Sequence, residues 1–199
     1  MPKRRKKPKN TPASDVGGED DVVLRETAPL QLRYYGDPVL RKRAEAVLEV
    51  TEAECQLAEQ MLETLYATGN GIGLAATQVG ILKRLIIVDI GEEDDEAYEP
   101  LALFNPELVG VDGEIVVEEG CLSIPDVTAE VKRPERIVVD GIDVQNESIR
   151  IETDGLLARV LQHEIDHLNG VLFIDRISGL KRQLLKEELL KIQQAERPY

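Results

Sequence analysis

The chain has two histidines, His163 and His167, and they lie four residues apart in the segment HEIDH. On a helix, residues i and i+4 lie above one another on the same face, so two imidazoles with this spacing can bind one metal ion. Glu164 is offset around the helix and can reach a water beside the metal without being a ligand. Asp166, between the histidines, either orients a ligand or faces solvent. The spacing predicts a metal-dependent hydrolase with Glu164 as the general base.

A catalytic site of this type needs three protein ligands and one open position. Since there is no third histidine, the remaining candidates are Cys121 and a carboxylate. A carboxylate such as Asp175, Glu187 or Glu188 would make the site that of a zinc peptidase. Cys121 is favoured because it follows Gly120 in EEGCLSIP, at the expected end of a strand, where a thiolate can meet the helix from the side.

A glycine-rich segment, residues 71–80, reads GIGLAATQVG. It lacks the Gly-Lys-Ser/Thr of a phosphate loop, and it also lacks the spacing of a dinucleotide-binding loop. Taken alone it is weak evidence, because it offers only a flexible backbone edge and the side-chain amide of Gln78.

The three segments GIGLAATQ, EGCLS and HEIDH, in this order, resemble the signature motifs of the peptide deformylases. The resemblance covers roughly residues 30–175. It implies an α+β fold with antiparallel β-sheets around a central metal-binding helix. It also implies that the chain removes the formyl group from the N-terminal formyl-methionine of newly synthesised polypeptides.

The same resemblance implies roles for individual residues. The metal ligands would be Cys121, His163 and His167, with water in the fourth position. Glu164 would be the general base and then the general acid, and Gln78 and the backbone N–H of Leu122 would hold the oxyanion. Iron(II) would be the physiological metal, although zinc, nickel or cobalt would also suit one soft thiolate and two imidazoles.

The substrate cleft implied by the resemblance combines backbone groups with an apolar pocket for methionine. Its residues would be Ile72, Gly73, Val117, Gly120, Leu156 and Val160. Many family members carry an arginine shortly after the proline of the cysteine motif, whereas this chain has Asp-Val-Thr at 126–128. We therefore expect its substrate affinity or selectivity to differ.

The charge distribution is uneven along the chain. The formal net charge is −14, but residues 1–10 hold six basic residues and no acidic one. Residues 176–199 hold six basic residues against three acidic ones. An acidic body repels phosphate backbones, which argues against direct DNA binding. The basic ends could supply a weak ribosome contact beside the main partner, the formylated nascent peptide.

Composition also limits the compartment and the domain organisation. No apolar run approaches the ~20 residues needed to span a bilayer, so we expect no membrane segment. No apolar region follows the basic start, and two cysteines suit a reducing compartment, so we expect the cytoplasm. The predicted organisation is a disordered basic and polar tail at 1–29, a catalytic domain at 30–177 and a C-terminal amphipathic helix at 178–199.

The local patterns place the motifs on secondary structure. Residues 51–67 predict an amphipathic helix with a capping box formed by Thr51 and Glu54. Residues 155–169 predict the helix that carries HEIDH, ended by Gly170. The middle of the chain predicts antiparallel strands, one of which should end near Pro125.

Two alternatives to the deformylase interpretation remain at this point. One is the zinc peptidase with an acidic third ligand. The other is a non-catalytic metal-binding or ribosome-associated protein. Glu164 argues against the second, because a structural metal site closes its fourth position and has no need of a base.

Overall fold

The computed structural model describes residues 29–93 and 96–195, so that all but the last residue of the predicted tail lies outside the described part. The α-helices within these residues are α1 (Glu52–Ala67), α2 (Gly155–Leu168), α3 (Gly179–Leu184) and α4 (Lys186–Gln194). The β-strands are β1 (Gly73–Ala75), β2 (Leu85–Val88), β3 (Glu92–Glu93), β4 (Glu96–Ala97), β5 (Leu101–Asp112), β6 (Ile115–Cys121), β7 (Ile124–Arg133), β8 (Arg136–Ile142) and β9 (Ser148–Thr153).

Five strands form the main sheet in the order β1-β2-β5-β8-β9, and every neighbouring pair is antiparallel. β6 and β7 form a separate two-stranded sheet, and β3 pairs with β4 in another. Antiparallel sheets with helices that are segregated from them make an α+β fold, which confirms the predicted class.

β2 lies between the two long helices, and all four of its residues are buried. Because side chains alternate along a strand, Ile86 belongs to the same core cluster as Leu161 of α2. Leu85 and Ile87 belong instead to the cluster that contains Met61 of α1. Burial on both faces explains the continuous apolar run, and it holds α2 firmly on one side of the sheet.

The ends of the helices follow the predicted signals. The Glu54 carboxylate accepts a hydrogen bond from the Thr51 backbone N–H at 3.3 Å and another from the Thr51 hydroxyl. After α2, Gly170 takes a φ of +74°, and a Cβ there would meet the Arg41 carbonyl oxygen at 2.6 Å. Only glycine fits that turn easily, so α2 stops where the sequence predicts.

The prediction that a strand ends near Pro125 is wrong, because β7 contains this residue. The ladder between β6 and β7 is irregular between Glu119 and Cys121. Pro125 is the second residue of β7, close to this irregular stretch, where a missing backbone N–H disturbs the ladder least.

The C-terminal segment contains two helices, α3 and α4, which meet at Leu185. Leu189 and Ile192 of α4 are buried in a cluster with residues of β7. In contrast, Leu180 and Leu184 of α3 are 70% and 72% exposed. Only α4 therefore packs its apolar face on the body. No helix within the described ranges is long and apolar enough to cross a membrane.

Candidate active site

The two histidines lie on the inner face of α2, as their spacing predicts. The distance between His163 Nε2 and His167 Nε2 is 3.2 Å, and Cys121 Sγ is also 3.2 Å from His167 Nε2. One potential ligand atom from each of the three residues lies within 4.8 Å of the others. The structure thus brings together the three residues that the sequence offers as metal ligands.

Cys121 reaches the helix because it is the last residue of β6, next to the tight turn into β7, where it pairs with Ile124. The carboxylates considered as alternative ligands lie elsewhere. Asp175 bonds with Arg41 and accepts from the backbone N–H of Leu172. The glutamates of α4, residues 187 and 188, are exposed.

The donor atoms have the chemistry and the separation of a tetrahedral metal site. Metal–nitrogen and metal–sulfur bonds of about 2.1 and 2.3 Å, at a tetrahedral angle, separate the donor atoms by about 3.4–3.6 Å. The two observed distances of 3.2 Å are within a few tenths of an ångström of this value. One thiolate and two imidazoles therefore fit a divalent ion such as iron or zinc.

The surroundings of these atoms favour positive charge at one imidazole. Burial opposes protonation of His163, yet hydrogen bonds with Cys121 and Glu119 raise its pKa well above the usual value. The pKa of His167 lies well below the usual value because of burial and the neighbouring charge on His163. The surroundings thus favour one positive charge at His163 and a neutral imidazole at His167.

Glu119 holds the outer nitrogen of one histidine. Its carboxylate lies 3.0 Å from His163 Nδ1 and forms a bidentate ion pair with Arg133. Burial alone would raise the pKa of Glu119, but Arg133 and His163 lower it to about 2. A carboxylate in this position fixes the tautomer and orientation of a metal-binding histidine. Sequence reasoning did not single out this residue.

The ion-pair network continues away from the histidines. Arg133, whose side chain is 3% exposed, also donates to Asp166 at 2.9 Å. Arg176 donates to the same carboxylate, at 3.0 Å from its Nε. Asp166 is thus bonded to two arginines, and it is joined to His163 only through Arg133 and Glu119. We refer to these four residues, Glu119, Arg133, Asp166 and Arg176, as the ion-pair network.

Glu164 lies against β1, with its carboxylate almost fully buried. A Cβ on Gly73 would come within 2.5 Å of Glu164 Oε1, so the glycine allows this close approach. Glu164 Oε2 has no hydrogen-bond partner in the described part of the chain. Burial raises the pKa of Glu164 to about 7, although His163 and Arg133 act in the opposite direction. This carboxylate can accept and donate a proton near neutral pH.

Gln78 is positioned by the short 3-10 helix that follows β1. Its Oε1 accepts a hydrogen bond from the Ala75 backbone N–H at 2.7 Å, which fixes the direction of the amide. Nε2 then donates toward the cluster, lying 3.3 Å from Ser123 Oγ and 3.6 Å from Cys121 Sγ. The amide N–H groups are therefore available beside the potential ligands.

A cleft of about 470 Å³ opens beside these residues. Its walls come from the loop before β1, from the β6–β7 hairpin and from α2. The expected cleft residues that line it are Ile72, Gly73, Gly120, Leu156 and Val160, and the expected oxyanion donor Leu122 also lines it. Val117 is not among the lining residues; it pairs with Val131 one residue before the part of β6 that reaches the cleft.

The chain is similar to known proteins over most of its length. The sequence profile of the family described as Polypeptide deformylase matches residues 29–183. The chain belongs to the peptide deformylase family. It is 50% identical to the peptide deformylase of Thermodesulfovibrio yellowstonii over 161 residues, which are 81% of this chain and 96% of that protein. Family membership confirms the predicted deformylase activity.

Solved deformylase structures have the same fold. A peptide deformylase from Ehrlichia chaffeensis in complex with actinonin aligns with a TM-score of 0.78 at 35% identity, covering 85% of this chain and all of that one. The deformylase from Thermotoga maritima aligns with a TM-score of 0.71 at 45% identity, covering 76% and 99%. The deformylase family is metal-dependent, and the Cys121, His163 and His167 cluster of this member is a possible site for the ion.

Proposed function

We propose that this deformylase hydrolyses the formamide of N-formylmethionyl nascent chains with one divalent metal ion, held by Cys121, His163 and His167. Iron(II) is the proposed physiological ion, and cytoplasm the proposed compartment. The proposal rests on the convergence of the three donor atoms beside Glu164, whose Oε2 has no hydrogen-bond partner among the described residues. When bound, such an ion would supply Lewis-acid chemistry, which can lower the pKa of water to about 7.

Glu164 moves the proton in this mechanism. Its buried carboxylate takes a proton from the attacking water and later gives it to the leaving amine of the methionine. The free Oε2 is the atom for this role, because Oε1 lies against Gly73 and Oε2 has no competing donor within the described residues. With a pKa near 7, the group can accept a proton and release it at similar cost.

Two donors from the chain stabilise the oxyanion that forms as the formyl carbon becomes tetrahedral. They are Nε2 of Gln78 and the backbone N–H of Leu122. The hydrogen bond from Ala75 holds the Gln78 amide with its N–H groups toward the cluster, so little reorganisation is needed. Removal of one such donor typically costs about 3–4 kcal/mol of transition-state stabilisation.

The remaining cleft binds the peptide. Leu156 and Val160 on α2 offer an apolar wall for the methionine side chain, and an unbranched thioether fills such a surface well. Gly73 and Gly120 supply backbone groups to the extended peptide on either side. Ile72, which is 39% exposed, closes the cleft from the loop before β1.

Paired variants separate the proposed roles. Glu164→Gln should keep the metal and lose turnover of a formyl-Met-Ala peptide, because the base is removed and the ligands stay. Cys121→Ser should lose both, because a hydroxyl is a poor ligand at neutral pH. Cys55→Ser is the matched control: Cys55 Sγ lies 3.5 Å from the Val144 carbonyl oxygen, outside the cleft.

Metal content and rate are measured on the same samples of each variant. Near-normal turnover of Glu164→Gln would refute the assignment of the base. Full metal content in Cys121→Ser would refute the third ligand. Actinonin, which is bound in the Ehrlichia structure, serves as a competitor for the wild-type cleft.

We also propose a weak, salt-sensitive ribosome contact through basic residues. Of the cations in the C-terminal segment, Lys181 and Arg182 are engaged by Glu130 and Asp175. The exposed Lys186 and the six basic residues within 1–10 are the better candidates. Co-sedimentation over a salt series should weaken when residues 1–29 or residues 178–199 are deleted, and binding that neither deletion weakens would refute the contact.

A further inference from the structure

The cleft contains a cation that the chemistry above does not use. On α2 the cleft is lined by Leu156, Arg159, Val160 and His163, which recur at i, i+3, i+4 and i+7 and so share one face of the helix. Arg159 is half-buried. It forms no ion pair or side-chain hydrogen bond with any residue in the ranges 29–93 and 96–195.

Two other arginines of the described residues, one buried and one half-buried, have partners. Arg133 pairs with Glu119 and Asp166, and Arg84 donates to Asn169 and to a backbone carbonyl. The aliphatic stem of an arginine can cover apolar surface while the guanidinium keeps its donors available. Arg159 therefore extends the apolar wall and leaves a free positive charge in the cleft.

The opposite wall has the opposite charge. Glu118 on β6 and Asp126 on β7 line the same cleft and are exposed. Neither forms an ion pair within the described part of the chain. A bound peptide thus lies between a cation on the helix and two carboxylates on the hairpin, so its two sides meet different charges.

An extended peptide presents alternate side chains to opposite walls. If the methionine side chain, residue 1, packs on Leu156 and Val160, residue 3 points to the same helix wall, about 6.6 Å further along. Leu156 and Val160 lie on either side of Arg159 along α2, so residue 1 is already level with the Cα of Arg159. Side chains on a helix lean toward its N-terminus, so the long Arg159 side chain can bring its guanidinium about one turn beyond that level, to residue 3. Residue 2 faces the opposite wall.

We propose that Arg159 is a specificity-determining residue that favours an acidic side chain at residue 3 of the formyl peptide. This inference rests on the deformylase function proposed above. A partly exposed ion pair changes affinity by about twofold to fivefold. Attraction to Glu and repulsion of Lys together should separate the two peptides by about threefold to tenfold in kcat/KM.

The effect should lie in KM, because the contact is remote from the reacting carbon and is equal in the ground and transition states. It should shrink as salt is raised, since exposed charges are screened beyond about 8 Å at 0.15 M ionic strength. A residue with a purely structural role would give neither signature.

The test uses the whole chain, the peptides formyl-Met-Ala-X-Ala with X as Glu, Gln or Lys, and formyl-Met-Ala-Ala-Ala as the reference. Arg159→Gln should bring the Glu-to-Lys ratio close to one, Arg159→Glu should invert it, and Arg159→Lys should preserve it. Arg43→Gln is the matched control: it makes the same change in net charge at an exposed arginine outside the cleft.

Failures of the two proposals are distinguishable. No turnover of the reference peptide by the wild-type enzyme would count against the proposed function itself. With normal turnover of the reference, a wild-type ratio near one would overturn the role of Arg159, and so would a ratio that survives in Arg159→Gln. A larger Arg159-dependent preference at residue 2, measured with formyl-Met-Glu-Ala-Ala, would also overturn it.

Discussion

Glu119→Gln is the most informative perturbation of the ion-pair network. The carboxylate contacts two groups at once: His163 Nδ1 at 3.0 Å, and Arg133 through two nitrogens, the longer contact being 2.8 Å. The substitution preserves the shape of the side chain but removes its charge. It leaves one oxygen and one NH₂ group facing three donor nitrogens, so that at least one of the three hydrogen bonds must be lost.

The structure sets the expected magnitude. Arg133 is 3% exposed, and truncation of one partner of such a buried pair typically costs about 3–5 kcal/mol. Glutamine keeps one acceptor, and Asp166 still pairs with Arg133, so we expect about 2–3 kcal/mol of lost stability. Loss of the partner that orients a histidine ligand typically weakens metal affinity 10–100-fold.

Urea unfolding gives the stability change, and competition with a chelator of known affinity gives the metal dissociation constant. Glu130→Gln is the control, because it removes an exposed carboxylate on β7 that pairs with Lys181, and solvent-exposed ion pairs contribute little to stability. If Glu119→Gln binds metal within twofold of wild type, Glu119 does not position His163.

Two further predictions concern the fold around the site. Gly73→Ala should reduce activity severely, because its Cβ would lie 2.5 Å from Glu164 Oε1. Gly179→Ala, which has open space around it, should leave activity unchanged. Equal rates for the two variants would refute the steric argument. The second is a pH effect. The hydrogen bond from Lys83 lowers the pKa of Glu54 to about 2. Its contribution to stability is therefore full above the unfolded pKa of about 4.3 and is lost as the pH falls toward 2. Lys83 is 44% exposed, so solvent screening limits this contribution to about 1–2 kcal/mol. Glu54→Gln should therefore reduce the change in the free energy of unfolding between pH 7 and pH 3.

Short-range signals in the sequence predicted most of the site. Two histidines at i and i+4 lie on the same face of a helix and can bind one metal ion, and Gly170 ends that helix where the chain must turn. The contact of Cys121 with His167 spans 46 residues, and only the combination of motifs indicated it. The resemblance to the family predicted this contact, because the periodicity of a sequence gives no information about residues so far apart.

The parts that were not predicted depend on long-range or context-dependent contacts. Glu119 pairs with Arg133, which is 14 residues away, and Arg133 pairs with Asp166, which is 33 residues away. No local sequence pattern therefore predicts these ion pairs. Pro125 normally argues against a strand, but it lies near the irregular end of a hairpin. The break between α3 and α4 at Leu185 contains no glycine or proline, and no local sequence signal predicts it.

The hairpin and the C-terminal helix together explain how one thiolate is held against α2. A two-stranded sheet is marginally stable by itself, and β6–β7 shares no ladder with the main sheet. Two independent attachments hold it: the ion pairs from Glu119 and Arg133 to α2, and the apolar cluster that contains Leu189 of α4. The ion pairs fix the direction of the hairpin near Cys121, and the apolar cluster anchors the other face of the hairpin. The C-terminal helix thus contributes to the position of Cys121 through β7, although it contacts none of the proposed catalytic groups. Substitutions in the apolar face of α4 should therefore affect metal binding before they affect the main sheet.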